Sequence, residues 1–247
     1  MTEEYPAPAT RRFITGSVMA ATVMNSLDST IANVALPHMQ GSVAASADQI
    51  TWVLTSYIVA AAIMTPLAGW LAGRIGRKKL ILSSIIGFTI ASGLCGLSTS
   101  LGELVGFRLL QGVFGAALVP MSQAILLDIN PPERHGPAMS IWGMGAILGP
   151  IIGPALGGYL TENYDWRWVF YINLPVGVIA FVGLSLFLTE SKAVKSRLDL
   201  FGFAMLALAI ASLQVMLDRG QQLDWFSSWE ICIEGAAAVG FLYMFIV

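Results

Sequence analysis

Charge is what this sequence has least of. Lys and Arg number 13 and Asp and Glu 15 among 247 residues, so only 11% of the chain is charged, against roughly 25% in a soluble domain. So few charges cannot cover a water-facing body of this size. The net charge of -2 offers no basic patch for phosphates, which excludes nucleic-acid binding. Cysteine is scarce too. Cys95 and Cys232 both sit in apolar runs, so neither a disulfide framework nor a metal site is indicated. They read as small packing residues. Histidine is limited to His38 and His135, both assigned to loops, and no Ser/His/Asp set stands at a usable spacing within the apolar segments. Enzymatic chemistry is therefore the weakest reading.

Apolar residues make up 56% of the chain, in long continuous runs and not in the alternation of a barrel. A bilayer needs about 20 such residues per helix. Eight spans follow, at 13–37, 50–73, 80–99, 103–127, 137–160, 168–188, 199–217 and 230–247. The fold class is an all-α membrane protein. The polar opening, residues 1–12, reads as a cytoplasmic tail before a retained first helix. Positive charge tests the orientation. With the N-terminus inside, Arg11, Arg12, Arg74, Arg77, Lys78, Lys79, Arg134, Lys192, Lys195 and Arg197 are cytoplasmic, and only Arg167 and Arg219 fall outside, as the positive-inside rule requires. Tryptophans 52, 70, 166, 168, 225 and 229 lie near span ends, where interfacial belts form. The last span is still apolar at Val247, so a longer chain is expected.

A charge at mid-helix costs at least about 2.5–3.5 kcal/mol, so the informative residues are the expensive ones. Asp28 and Arg108 lie well inside spans, at depths of about 14 Å and 8 Å from the outer surface at 1.5 Å per residue. They can neutralise each other. One reading is a structural ion pair that locks two helices. The other is a proton or substrate switch facing an aqueous vestibule shared by two rocking halves, in which a carboxylate that changes surroundings loads and releases protons. Gln111 stands three residues beyond Arg108 and Gly115 seven, which makes that face polar and small, suited to a neighbour or cavity. Glu230 and Glu234 open the last span and read as snorkelling to water.

The fifth span, GMGAILGPIIGPALGGYL, repeats glycine every four residues at Gly145, Gly149, Gly153 and Gly157, with Pro150 and Pro154 between them. That spacing lines one helix face and lets another backbone approach, and the prolines remove donors. The expectation is a mobile, closely packed contact. GWLA at 69–72 and GYLT at 158–161 hint at an inverted repeat. The loop at 73–79 is short and basic, and serves either as a topology signal or as a gate.

LDSTIANVALP at 27–37, GWLAGRIGRKKL at 69–80, RLLQGVFGAALVP at 108–120, the Gly149–Gly158 segment and WRWVFYINLPVG at 166–177, taken together and in this order, resemble the motifs of the major facilitator superfamily, in its branch of 14-helix drug:proton antiporters. LDRGQQLDWFSS at 217–228 is similar to the Emr-type inner-membrane multidrug export subunits. The resemblance implies an N-terminal six-helix bundle over 13–188, then a linker and an extra two-helix hairpin over 189–247, from a family of about twice this length. It implies alternating access in the bacterial inner membrane, with the proton gradient and no cofactor driving export of lipophilic drugs. It implies Asp28, Arg108, Asn33 and Gln111 as proton-coupling or substrate residues. Gly69, Arg74, Gly76, Arg77 and Lys78 become an inner gate. Gly145, Gly149, Gly153, Pro154, Gly157 and Gly158 become an interdomain hinge surface. A periplasmic adaptor and an outer-membrane channel are the implied partners. The gate motif usually carries Asp where this chain has Gly73, so a charge relay through that position is missing. Two alternatives stay open: a transporter of one small metabolite, and a non-transporting membrane scaffold or sensor.

Overall fold

The computed structural model describes residues 5–190 and 198–247. Lys192, Lys195 and Arg197 of the topology argument lie outside the described residues. Every regular element described is helical: α1 (Pro8–Ser42), α2 (Ala47–Ile50), α3 (Trp52–Ile75), α4 (Arg77–Leu97), α5 (Leu101–Gly115), α6 (Leu118–Asp128), α7 (His135–Asn163), α8 (Trp168–Tyr171), α9 (Asn173–Phe187), α10 (Leu200–Arg219) and α11 (Trp229–Ile246), with two short 3-10 turns. Helix starts follow local chemistry. The Ser46 hydroxyl accepts from Gln49 N while the Gln49 side chain accepts from Ser46 N, a reciprocal cap on α2. Ser100 and Asp199 cap α5 and α10 in the same sense.

Among the described residues, seven helical spans are long and apolar enough to cross a membrane, where the sequence predicts eight. The difference is α1. It has ample length at 35 residues but carries Asn25, Ser26, Asp28, Ser29, Thr30 and Asn33 in its middle, which lowers its mean hydropathy. The helix survives because this polar content is mostly turned onto neighbouring helices. It also runs past the predicted end at Pro37 to Ser42, which puts exposed His38 on a helix and not in a loop. His135 likewise opens α7. The basic loop at 73–79 shrinks to one residue. Gly76, at φ +92, ends α3 and begins α4 directly, a backbone conformation that glycine adopts without steric cost.

In lipid no hydrophobic force draws helices together, so packing and interhelical hydrogen bonds must do it. Helix α1 is central and packs on α7 and α9, α3 and α4 both pack on α5, and α10 packs on α3 and α11. The extra hairpin is tied to α3 by the Thr55 hydroxyl donating to the Asp218 carboxylate, and its own two helices are joined by an Arg219–Glu230 ion pair. Glu230 is thus paired, whereas the Oε2 of half-buried Glu234 has no hydrogen-bond partner.

The α1–α7 contact explains the glycine ladder. A Cβ on Gly149 would sit 2.6 Å from Leu27 N, and one on Gly157 2.9 Å from Ile31 Cγ1. Gly145 faces Met19, and Gly153 faces Thr30. Two hydrogen bonds cross the seam, Ser26 Oγ to Ala146 O at 2.6 Å and Thr30 Oγ1 to Gly149 O at 3.1 Å. Backbone cannot yield as a side-chain tip can. Gly149→Ala is therefore expected to lower stability by about 1–3 kcal/mol. Gly158→Ala, where a Cβ meets nothing within 4 Å, is the internal control and should stay within about 0.5 kcal/mol. Thermal unfolding of both variants in one detergent checks this; equal midpoints would contradict the seam as described.

Candidate functional site

The two expensive charges meet. Arg108 Nη1 donates to Asp28 Oδ2 at 2.6 Å, tying α5 to α1. Two further hydrogen bonds hold the guanidinium. Nε donates to Val53 O at 3.1 Å and Nη1 to Gln111 Oε1 at 2.8 Å. The Tyr57 ring lies 4.3 Å from the guanidinium carbon, and that of Phe170 5.7 Å, contacts that suit a desolvated cation. Asp28 Oδ1 accepts from Gln111 Nε2 and from Asn173 Nδ2, both at 2.8 Å. The carboxylate thus has three donors from three side chains. Cys95 lies beside the network, its sulfur 3.7 Å from Gln111 Oε1. Close approach of the helices makes this possible: a Cβ on Gly112 would press on the Tyr57 carbonyl and on Ala60, and one on Gly115 would lie 3.1 Å from Asn25 Nδ2.

Asp28, Arg108 and Gln111 are each 0% exposed. This corrects the vestibule expectation. A side chain lining a surface presented to another body is accessible in the bare chain. Ser29 and Asn33 pass that test and the ion pair does not. The pair is the interior of one bundle, compensated by its own neighbours. Asn33, grouped with it from the motif, stands apart: it is exposed, and its Nδ2 donates to Ser29 O at 3.1 Å. Asn173 and Tyr57, which sequence reasoning did not select, take its place in the network.

The residues expected to form a gate lie at the other end of α4. Arg77 pairs with Asp128 at the end of α6. Lys78 Nζ donates to Ser185 O at 2.8 Å and Lys78 N to Glu190 Oε1 at 3.2 Å. The Glu190 carboxylate fills the space where a Cβ on Gly76 would stand. Arg74 lies over Trp70 at 5.1 Å, and Gly69 borders open space. These contacts run within one bundle, between α3–α4 and the ends of α6 and α9. A cleft of about 590 Å³ there is lined by residues including Arg77, Asp128, His135 and Glu190, and its lining includes neither Asp28 nor Arg108. His135 Nε2 lies 3.0 Å from Asn130 O and 3.1 Å from Leu127 O, which fixes the start of α7. The glycines expected to form an interdomain hinge surface meet a helix of their own bundle instead. Gly145, Gly149, Gly153 and Gly157 face α1 inside the bundle, while Pro154 is exposed and Gly158 half-buried.

Solved structures share this fold. A bacterial homolog of the human lysosomal transporter Spinster, in an inward-facing and unoccupied conformation, matches with a TM-score of 0.66 at 21% identity, over 97% of this chain and 62% of that one. The proton:xylose symporter XylE matches with a TM-score of 0.63 at 15% identity, over 87% and 54%. Such identities speak for the fold alone. In sequence, the chain is 48% identical over 228 residues to the multidrug export protein EmrB of Escherichia coli K12, covering 92% of this chain and 44% of that protein. It is 43% identical over 237 residues to the fatty acid resistance protein FarB of Neisseria gonorrhoeae, covering 95% and 47%. The chain therefore spans about half the length of the curated relatives it matches. The profile of the Major Facilitator Superfamily matches residues 18–247, and the chain, a multi-pass helical membrane protein, belongs to that superfamily.

Proposed function

We propose that this chain forms the N-terminal half of a proton-driven exporter of lipophilic compounds, working by alternating access in the bacterial inner membrane with its N-terminus in the cytoplasm. The observation that carries the reading is the Asp28–Arg108 pair. A carboxylate and a guanidinium, each 0% exposed, are costly tenants of a membrane bundle, and intramembrane ionisable groups of this kind mark proton and substrate pathways. The relatives bearing export and resistance names support the direction and the substrate class. The exposed Ser29 and Asn33 of α1 would face the substrate route. Asp28 would carry the coupling proton within the bundle wall, reached through local opening of that wall. No cofactor is assigned; the proton gradient is the energy source.

The Arg77–Asp128 pair and the Glu190–Lys78–Gly76 contacts would latch the cytoplasmic side, doing what the usual acidic residue at position 73 cannot do here. Gly145 to Gly157 would keep α7 close against α1, so that this half moves as one body as the halves rock. A periplasmic adaptor and an outer-membrane channel would complete the export path.

The test is uptake of a lipophilic fluorescent cation into inside-out vesicles containing the full-length protein. Accumulation is expected to require an imposed pH gradient and to collapse with a protonophore. Uptake indifferent to the gradient would remove proton coupling, and gradient-driven movement of only one hydrophilic metabolite would replace the substrate class.

A further inference from the structure

Asn173 is 1% exposed and opens α9, one helical residue, Ile172, after α8. Its Nδ2 donates to Asp28 Oδ1 at 2.8 Å and to Ser92 Oγ at 3.0 Å. A carboxylate only accepts, which fixes the amide with its nitrogen toward Asp28. That leaves Asn173 Oδ1 buried without a partner, an arrangement native interiors rarely tolerate. The unmet oxygen has an obvious use. With Asp28 protonated, the amide turned over would present Oδ1 to the new carboxylic O–H. Ser92, whose hydroxyl now donates to Phe170 O at 2.9 Å, can donate or accept and so serves either orientation. Asn173 thus has one arrangement for each charge state of its neighbour.

The helix that Asn173 opens leads to the Gly76 corner. Ser185, 12 residues on and about 18 Å along the axis at 1.5 Å per residue, accepts from Lys78 Nζ, and Glu190 beyond it accepts from Lys78 N. One rigid element therefore touches the buried carboxylate at one end and the α3–α4 corner at the other.

Resting on the proton-coupling reading above, we propose that Asn173 is the positioning residue that weights the protonation of Asp28 and makes α9 the element through which that protonation reaches Lys78. A hydrogen bond to a charged acceptor is about twice as strong as one to a neutral acceptor. On balance, then, the amide favours the carboxylate.

The experiment follows the infrared carboxyl signal of the full-length protein during a pH titration, with Asp28→Asn identifying the band that belongs to Asp28. In Asn173→Ala the midpoint of that band should move to higher pH by roughly one unit. Ser92→Ala leaves every donor to Asp28 in place and guards against a misfolded Asn173 variant; it should move the midpoint the same way by less. Lys79→Cys, at an exposed position and in a Cys232→Ser background with Cys95 fully buried, reports the far end. Its labelling by a water-soluble maleimide, taken at each pH as a ratio to the rate for the denatured protein so that the thiol's own ionisation cancels, should depend on pH in the parent and lose that dependence in Asn173→Ala. If the Asp28 band titrates but neither variant shifts it, the role of Asn173 is overturned while proton coupling stands. If the midpoint moves but the labelling stays pH-dependent in Asn173→Ala, α9 is not the route. If no Asp28 band titrates in the parent protein, the coupling reading fails and takes this one with it.

Discussion

Arg108→Ala is expected to cost the bundle about 3–5 kcal/mol, the usual penalty for breaking a buried ion pair from one side. The loss is more than one contact. The guanidinium gives Asp28 its charge-bearing partner, gives Val53 O and Gln111 Oε1 a donor, and fills the space between the Tyr57 and Phe170 rings. Its removal leaves a carboxylate in apolar surroundings with only two amide donors, and a void where a fully buried side chain stood. Arg108→Lys should recover only part of the loss. An ammonium can approach Asp28 but cannot hold a fixed fork of donors or stack flat on Tyr57. Thermal unfolding in detergent checks both variants. A midpoint for Arg108→Ala within a degree or two of the parent would show that water reaches Asp28 freely, against its complete burial.

The sequence made the charged half of this network readable and left the neutral half unread. Asp28 and Arg108 stand out because formal charge in an apolar span is expensive wherever it occurs. Gln111 followed, since three residues on an α-helix return to the same face. Asn33 did not follow by the same geometry. Five residues at about 100° each carry it roughly 140° around α1 from Asp28, onto the exposed face. Asn173 lies 145 residues from Asp28, on a helix that no local spacing relates to α1, and an uncharged amide in an apolar run gives no signal of cost. The glycine ladder was legible as a close-contact face because period four is local. Its partner was not, because spacing names a face and never the neighbour that meets it. Likewise Gly76 and the basic run mark a boundary, but only tertiary placement shows Glu190 seated in the space a side chain would need.

Asp28→Asn should abolish gradient-driven accumulation in vesicles, reducing it to the level of vesicles without the protein, because an amide cannot bind and release a proton in this range. Taken alone the result would be ambiguous, since the substitution also strands a buried guanidinium, and a destabilised protein transports poorly for structural reasons. The double variant Asp28→Asn with Arg108→Gln separates the two causes. Replacing both members of the pair by uncharged groups removes the stranded buried charge that makes a single replacement costly, and the two introduced amides could still exchange hydrogen bonds with Gln111 and Asn173. The double variant is therefore expected to regain most of the stability that Asp28→Asn loses, with an unfolding midpoint near that of the parent, and to remain unable to accumulate substrate against a gradient. A structural lock predicts the opposite pairing: restored stability brings restored transport, since nothing but rigidity was lost. Stability and coupling recovering together would reduce Asp28–Arg108 to a clamp between α1 and α5 and move the proton site to another residue.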